Sequence, residues 1–185
     1  ESRSMHGQLP IIWDRATDFS IYDRSGNKWI DFTSTIFVTN IGHSNPRLIS
    51  AVKRVLDKEL VHTYAYPHEI RSEYLKKLVK FAGPNFEKAF LASAGTEVTE
   101  VALKLMRLNG MRLGKRRSVV ICIEGNWHGR TMGAQFMSSS RDQKEWIGHD
   151  DPDIYHIPFP YPWVLNNRPS ETFLQEGLKR LEENG

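Results

Sequence analysis

The sequence predicts an α/β fold with a mixed, mostly parallel sheet and flanking helices, and three observations carry that prediction. From residue 87 onward, apolar segments of strand length alternate with amphipathic segments of helical length. At one junction, Ala89 to Arg107, an apolar segment passes through a small-residue turn directly into a helix. Ahead of this part, residues 20–32 read as a β-hairpin, so an antiparallel piece precedes the α/β region. The predicted division is an N-terminal hairpin and extended segment over 1–45, then part of a larger α/β domain over 46–185.

Taken in order, Leu9 to Trp13 is a short apolar run that suits a strand. Ser20–Asp23 and Lys28–Phe32 alternate around a turn containing Gly26, the pattern of a hairpin. Thr33 to Ile41 lacks periodicity and reads as an extended loop. Asn45 suits an N-cap and Pro46 the first helical position, opening a helix to about Leu60 with Leu48, Ile49, Val52, Val55 and Leu56 on one side. A second helix runs from about His68 to Ala82 and stops at Gly83-Pro84. Glu87 to Ala92 is the predicted strand before the small-residue turn. Val98, Val101, Ala102, Leu105 and Met106 mark the buried stripe of the helix after it.

A strand follows at Ser118–Ile123, then a turn through Trp127 to Arg130 and a short helix near Thr131–Met137. Ser138 to Pro152 is polar and reads as a long surface loop, and Asp153–Ile157 as another strand. Three prolines in Pro158–Pro162 exclude regular structure there. Ser170 caps a last helix to Glu183, closed by Asn184-Gly185. Its Phe173, Leu174, Leu178 and Leu181 need a surface, and a strand should follow such a helix, so the sequence reads as unfinished.

Composition narrows the function classes. A hydrophobic content of 39% with 25% charged residues describes an ordinary soluble protein, and a net charge of +3 is too small to imply a nucleic-acid partner. Six Lys or Arg and no acid lie between Lys104 and Arg117, where cations complement a helix C-terminus. Cys122 is the single cysteine, so no disulfide forms within the chain. No apolar run approaches a membrane span and the N-terminus has no signal-peptide core, which points to the cytoplasm. The seven histidines are scattered without metal-ligand spacing. No Gly-x-x-x-x-Gly-Lys-[Ser/Thr] or Gly-x-Gly-x-x-Gly fingerprint occurs.

Two turns carry chemistry. A strand, a tight turn and a helix start present backbone N–H groups at the positive end of a helix dipole, a ready site for phosphate. Gly95 lets the backbone come close, and the Thr96 hydroxyl can donate a hydrogen bond; the alternative is that Thr96 only caps the helix. The second turn is Trp127-His128-Gly129-Arg130, just past a strand end, where ligands gather in open α/β sheets. There an indole can lie on an aromatic ring and an arginine can meet a carboxylate bidentately. The alternative is a buried tryptophan beside a surface arginine.

Together these stretches resemble the class III (ornithine/GABA/acetylornithine-type) aminotransferases, pyridoxal-phosphate enzymes of fold type I. Ile21 to Phe32 resembles that family's W-D-x-x-G-x-x-Y-I-D-F, and Ile41 to Pro46 its L-G-H-x-H-P. Ser93 to Val98 resembles N-S-G-T-E-A, Ala102 to Arg107 resembles A-L-K-L-A-R, and Trp127 to Thr131 resembles [YF]-H-G-R-T. The resemblance implies the N-terminal part of a pyridoxal 5'-phosphate-dependent aminotransferase. Gly95 and Thr96 would hold the cofactor phosphate, Trp127 would stack on its ring, and Arg130 would bind a substrate carboxylate. The loop Ser34–Val38, with Phe37, would line the substrate side. Ala94, Val98, Thr99 and Thr35 depart from the family's usual serine, alanine, asparagine and glycine.

The resemblance also implies partners: a small-molecule amino donor, a keto-acid or aldehyde acceptor, and a second copy in a homodimer, with no nucleic acid and no membrane. The family's Schiff-base lysine and the acid that protonates the pyridine nitrogen lie beyond the matched residues, and none of the eleven lysines here substitutes. The expectation is that these 185 residues alone catalyse no transamination. Alternatives are an aminomutase or decarboxylase of the same fold, or a non-catalytic phosphate-binding or assembly fragment.

Overall fold

The structure is a computed structural model and describes residues 11–183. The chain divides into two compact units, Glu1–Phe81 and Ala82–Gly185.

The first unit begins with a three-stranded antiparallel sheet in the order β1 (Trp13–Thr17), β2 (Ser20–Asp23), β3 (Lys28–Ile30). The hairpin expected over residues 20–32 is β2–β3, paired Ser20 to Ile30 and Tyr22 to Lys28. Asp23 builds its turn: Oδ1 accepts the amides of Ser25 and Asn27, and Oδ2 accepts from Trp29 Nε1. The strand expected at Leu9–Trp13 lies partly outside the described residues. Strand β1 instead starts at Trp13, because Arg15 to Thr17 pair with Tyr22 to Ser20 and Arg15 stacks over Tyr22, 3.8 Å from its ring centroid.

The extended loop expected over Thr33–Ile41 is in part a left-handed helical turn, α1 (Ser34–Phe37), with φ of 48°, 55°, 54° and 64° at its four residues. Side-chain acceptors supplied by Asp31, which no periodicity reveals, shape this segment. Helix α2 (Pro46–Leu56) opens as expected at Asn45, whose side chain accepts the amides of Arg47 and Leu48 at 3.0 and 3.4 Å. It ends short of Leu60, where the backbone turns left-handed at Glu59. Helix α3 covers Glu69–Ala82.

In the second unit, β4 (Val120–Ile123) and β5 (Ile154–Ile157) pair in parallel, in register from Val120–Ile154 to Ile123–Ile157. Around them lie α4 (Gly95–Arg112), α5 (Met132–Met137), α6 (Arg141–Lys144), α7 (Pro162–Leu165) and α8 (Ser170–Glu183). Leu103, Val120, Cys122 and Met137 form the buried cluster, with Ile154 packed against it.

Four expectations fail in this unit. No strand forms at Glu87–Ala92: none of the described residues pairs with that segment, and Phe90 is 70% exposed. A strand exists through its ladder, and an apolar run alone does not supply one. The Val98–Met106 stripe is not the buried face of α4, since Val98, Leu105 and Met106 are exposed. The inward face instead carries Thr96, Thr99, Glu100, Leu103, Arg107 and Gly110 at helical spacing, most of it polar and hydrogen-bonded. The surface loop expected over Ser138–Pro152 holds α6, a 3-10 turn at Glu145–Ile147 and a Ser138 only 4% exposed. Pro162, expected to break structure, starts α7, because a proline's missing N–H costs nothing in a first helical turn.

Candidate functional site

Helix α4 starts at Gly95 behind an extended Ala94 that makes no side-chain cap. An alanine N-cap has no oxygen to offer, so the first-turn amides keep their donors for another acceptor. A Cβ added at Gly95 would meet nothing within 4 Å, so the helix start opens outward. The Glu97 carboxylate in this first turn turns back and accepts the Ser93 amide at 2.8 Å.

The turn after β4 is held from behind by two serines. Ser138 Oγ accepts the His128 amide and Ser139 Oγ accepts the Gly125 amide, both at 2.9 Å. Asn126 Nδ2 donates to His128 Nε2 at 2.8 Å, which places the ring proton on Nδ1 and occupies the nitrogen a general base would use. Burial, with the nearby His156 adding to it, lowers the His128 pKa and favours this neutral ring. Trp127 is half exposed, and the Arg130 guanidinium lies 5.5 Å from its ring centroid, a cation–π arrangement.

The two turns meet. Gly129 is buried with φ of +137°, and a Cβ there would overlap the Thr96 side chain, so only glycine allows the approach. The Thr96 and Thr131 hydroxyls are 2.7 Å apart, and the Thr131 amide donates to Thr96 Oγ1 at 3.3 Å. The Thr99 hydroxyl sits 3.0 Å from the carbonyl oxygens of both Gly95 and His128 and shares its proton between them. Glu100 Oε1 accepts the Ala134 amide at the start of α5. The structure thus joins the Gly95–Thr96 helix start to the Gly129–Thr131 segment, with Trp127 and Arg130 side by side on the same turn. Phe37 belongs to the first unit, on the left-handed turn, and is 75% exposed.

Sequence reasoning missed Thr99, Glu100, Thr131, Ser138 and Ser139. The first three share the inward face of α4 or its contact, and the available signal was the clustering of hydroxyl residues within and just beyond the two motif stretches. Among the described residues no three of His, Cys, Asp and Glu gather as a metal site, and no helix is long and apolar enough to cross a membrane.

In this α/β unit a glycine-threonine helix start thus meets the Trp-His-Gly-Arg turn. The profile of the family described as "Aminotransferase class-III" matches residues 2–185, and the chain belongs to that family. It is 35% identical over 129 residues to an acetylornithine aminotransferase of Aquifex aeolicus, covering 70% of this chain and 34% of that protein. It is 37% identical over 147 residues to a probable 4-aminobutyrate aminotransferase of Bacillus subtilis, covering 76% and 32%. The chain spans about a third of the length of the curated relatives it matches.

Among solved structures, the taurine:2-oxoglutarate aminotransferase of Bifidobacterium kashiwanohense, in complex with PLP and glutamate, superposes with a TM-score of 0.82 at 25% identity, over 99% of this chain and 42% of that one. A transaminase from a marine Virgibacillus gives 0.85 at 21% identity, over 100% and 42%. The fold is that of the fold-type-I transaminases.

Proposed function

We propose that the protein containing these residues is a pyridoxal 5'-phosphate-dependent aminotransferase that moves an amino group between an amino compound and a keto acid or aldehyde. The observation that carries this reading is the junction of Gly129 with Thr96, which brings an uncapped helix start against the turn whose Trp127 is half exposed. Support comes from family membership and from a matched neighbour that holds PLP.

In this reading the amides at Gly95 and Thr96, with the Thr96 hydroxyl, take the phosphate, where the helix dipole favours negative charge. The open space at Gly95 fits such a group. Trp127 covers the ring, and Arg130 turns from the indole to a substrate carboxylate. Phe37, on the Ser34–Val38 loop, lines the substrate side. When bound, the cofactor supplies an electron-withdrawing ring that stabilises negative charge developing on the substrate carbon. This chain's own residues bind and orient; His128, neutral and hydrogen-bonded, holds the turn and moves no proton. Residues 1–45 form the N-terminal segment and 46–185 part of the large cofactor-binding domain. The protein works as a cytoplasmic homodimer, and these 185 residues alone transfer no amino group.

The test compares the apo full-length protein with pyridoxal 5'-phosphate and with pyridoxal, which lacks the phosphate. The phosphate ester binds at least tenfold tighter, and Thr96→Val narrows the gap severalfold. Equal affinity for the two compounds would sink the reading.

A further inference from the structure

Four consecutive residues with left-handed backbone, none of them glycine, do not arise from local preference, least of all at β-branched Thr35 and Ile36. Something outside the turn must hold it. Asp31 does so with both carboxylate oxygens: Oδ1 accepts the Thr33 amide at 2.9 Å and its hydroxyl at 2.8 Å, and Oδ2 accepts the Thr35 amide at 3.1 Å. The same Oδ2 is 2.8 Å from His43 Nε2, and the two side chains are only 4% and 10% exposed.

His43 is itself anchored. Its backbone pairs with Asp18, each amide donating to the other's carbonyl at 2.6 and 2.9 Å, and its ring meets Trp13 edge-on at 5.7 Å. The chain of contacts therefore runs from the β1–β2 turn through His43 and Asp31 into the turn at Thr35. What the turn displays is an apolar crest: Ile36, Phe37 and Val38 are all at least 75% exposed. Thr39 Oγ1, just past it, is buried and without a partner in a cavity of about 210 Å³ that Asp18, Asp31 and His43 also line.

We propose that Asp31 and His43 are a positioning pair that holds the Ser34–Phe37 turn left-handed and so places Phe37 where the substrate binds. The pair touches no reacting atom and acts only through the turn. The placement of Phe37 on the substrate side rests on the functional reading above, whereas the hold on the turn does not.

The test uses the full-length holoenzyme and its Asp31→Asn, His43→Gln and Asp31→Asn/Thr35→Gly forms. Asparagine keeps the shape but loses one acceptor oxygen. Amide hydrogen exchange over residues 33–39 accelerates at least tenfold in Asp31→Asn, and KM for the amino donor rises about tenfold with kcat within threefold. His43→Gln moves both in the same direction by less. Adding Thr35→Gly returns much of the lost protection, because glycine accepts the positive φ that the carboxylate had enforced. Unchanged exchange in Asp31→Asn and His43→Gln, with circular dichroism of a folded protein, overturns the proposal. So does a fall in kcat with KM unmoved. If the wild-type protein transfers no amino group, the functional reading fails while exchange still decides whether the pair holds the turn.

Discussion

Thr35 is a β-branched residue held at φ 55°, in the left-handed region that such residues rarely enter. The left-handed region costs an L-residue about 1–2 kcal/mol, more when it is β-branched, and glycine's added unfolded-state freedom returns less than 1 kcal/mol of that. Thr35→Gly should therefore stabilise the protein by about 1 kcal/mol, seen as a higher urea midpoint; a lower midpoint would contradict the assignment. At Gly129 the sign reverses: Gly129→Ala puts a Cβ into Thr96 at φ +137°, and about 2 kcal/mol or more of stability should be lost together with cofactor affinity. Asp31 gives a pH dependence. The hydrogen bond from His43, helped by Thr33, holds its carboxyl at about 2 rather than the ordinary 3.8, against an opposing push from burial. A carboxyl lowered in the folded state contributes stability that is whole above pH ~4 and fades as pH falls toward 2. Exchange protection over residues 33–39 should fade in that interval, and the fading should be absent in Asp31→Asn.

At the scale of elements, caps decide boundaries more firmly than hydropathy does. Asn45 satisfies two first-turn amides of α2, so Asn45→Ala should lower stability by about 1 kcal/mol, measured by denaturant unfolding. That start was legible because Asn-Pro is a local signal. The hairpin, the extent of α8 and the strands β4 and β5 were legible for the same reason: turn residues, helical periodicity and β-branched runs are written in adjacent positions, although Ser170 is the first residue of α8 rather than its cap. Helix α4 was legible in extent but not in orientation. Its apolar residues form one stripe while its inward face is Thr96, Thr99, Glu100 and Arg107, bonded respectively to Thr131, the His128 carbonyl, the Ala134 amide and Asp151. A polar face pays off only through partners about 29 to 44 positions away, which a periodicity window never sees. The strand expected at Glu87–Ala92 failed in the complementary way, being apolar enough to suit a sheet while none of the described residues pairs with it.

For the molecule as a whole, family and fold were readable from short motifs in order, because each motif marks a place where backbone geometry leaves little choice of residue. Gly129 beside Thr96 shows the reason, since no other side chain fits. The Asp31–His43 hold on α1 was not readable, although both residues sit in motif stretches, because 12 positions and the α1 turn itself separate them. One consequence follows from Cys122, the sole thiol, 5% exposed within the cluster of Leu103, Val120 and Met137. Burial raises its pKa, so a maleimide or iodoacetamide finds neither access nor thiolate while those side chains stay packed. Cys122 is thus a chemical stopwatch in the second unit, and the rate at which an alkylating reagent labels that residue clocks how often the unit opens.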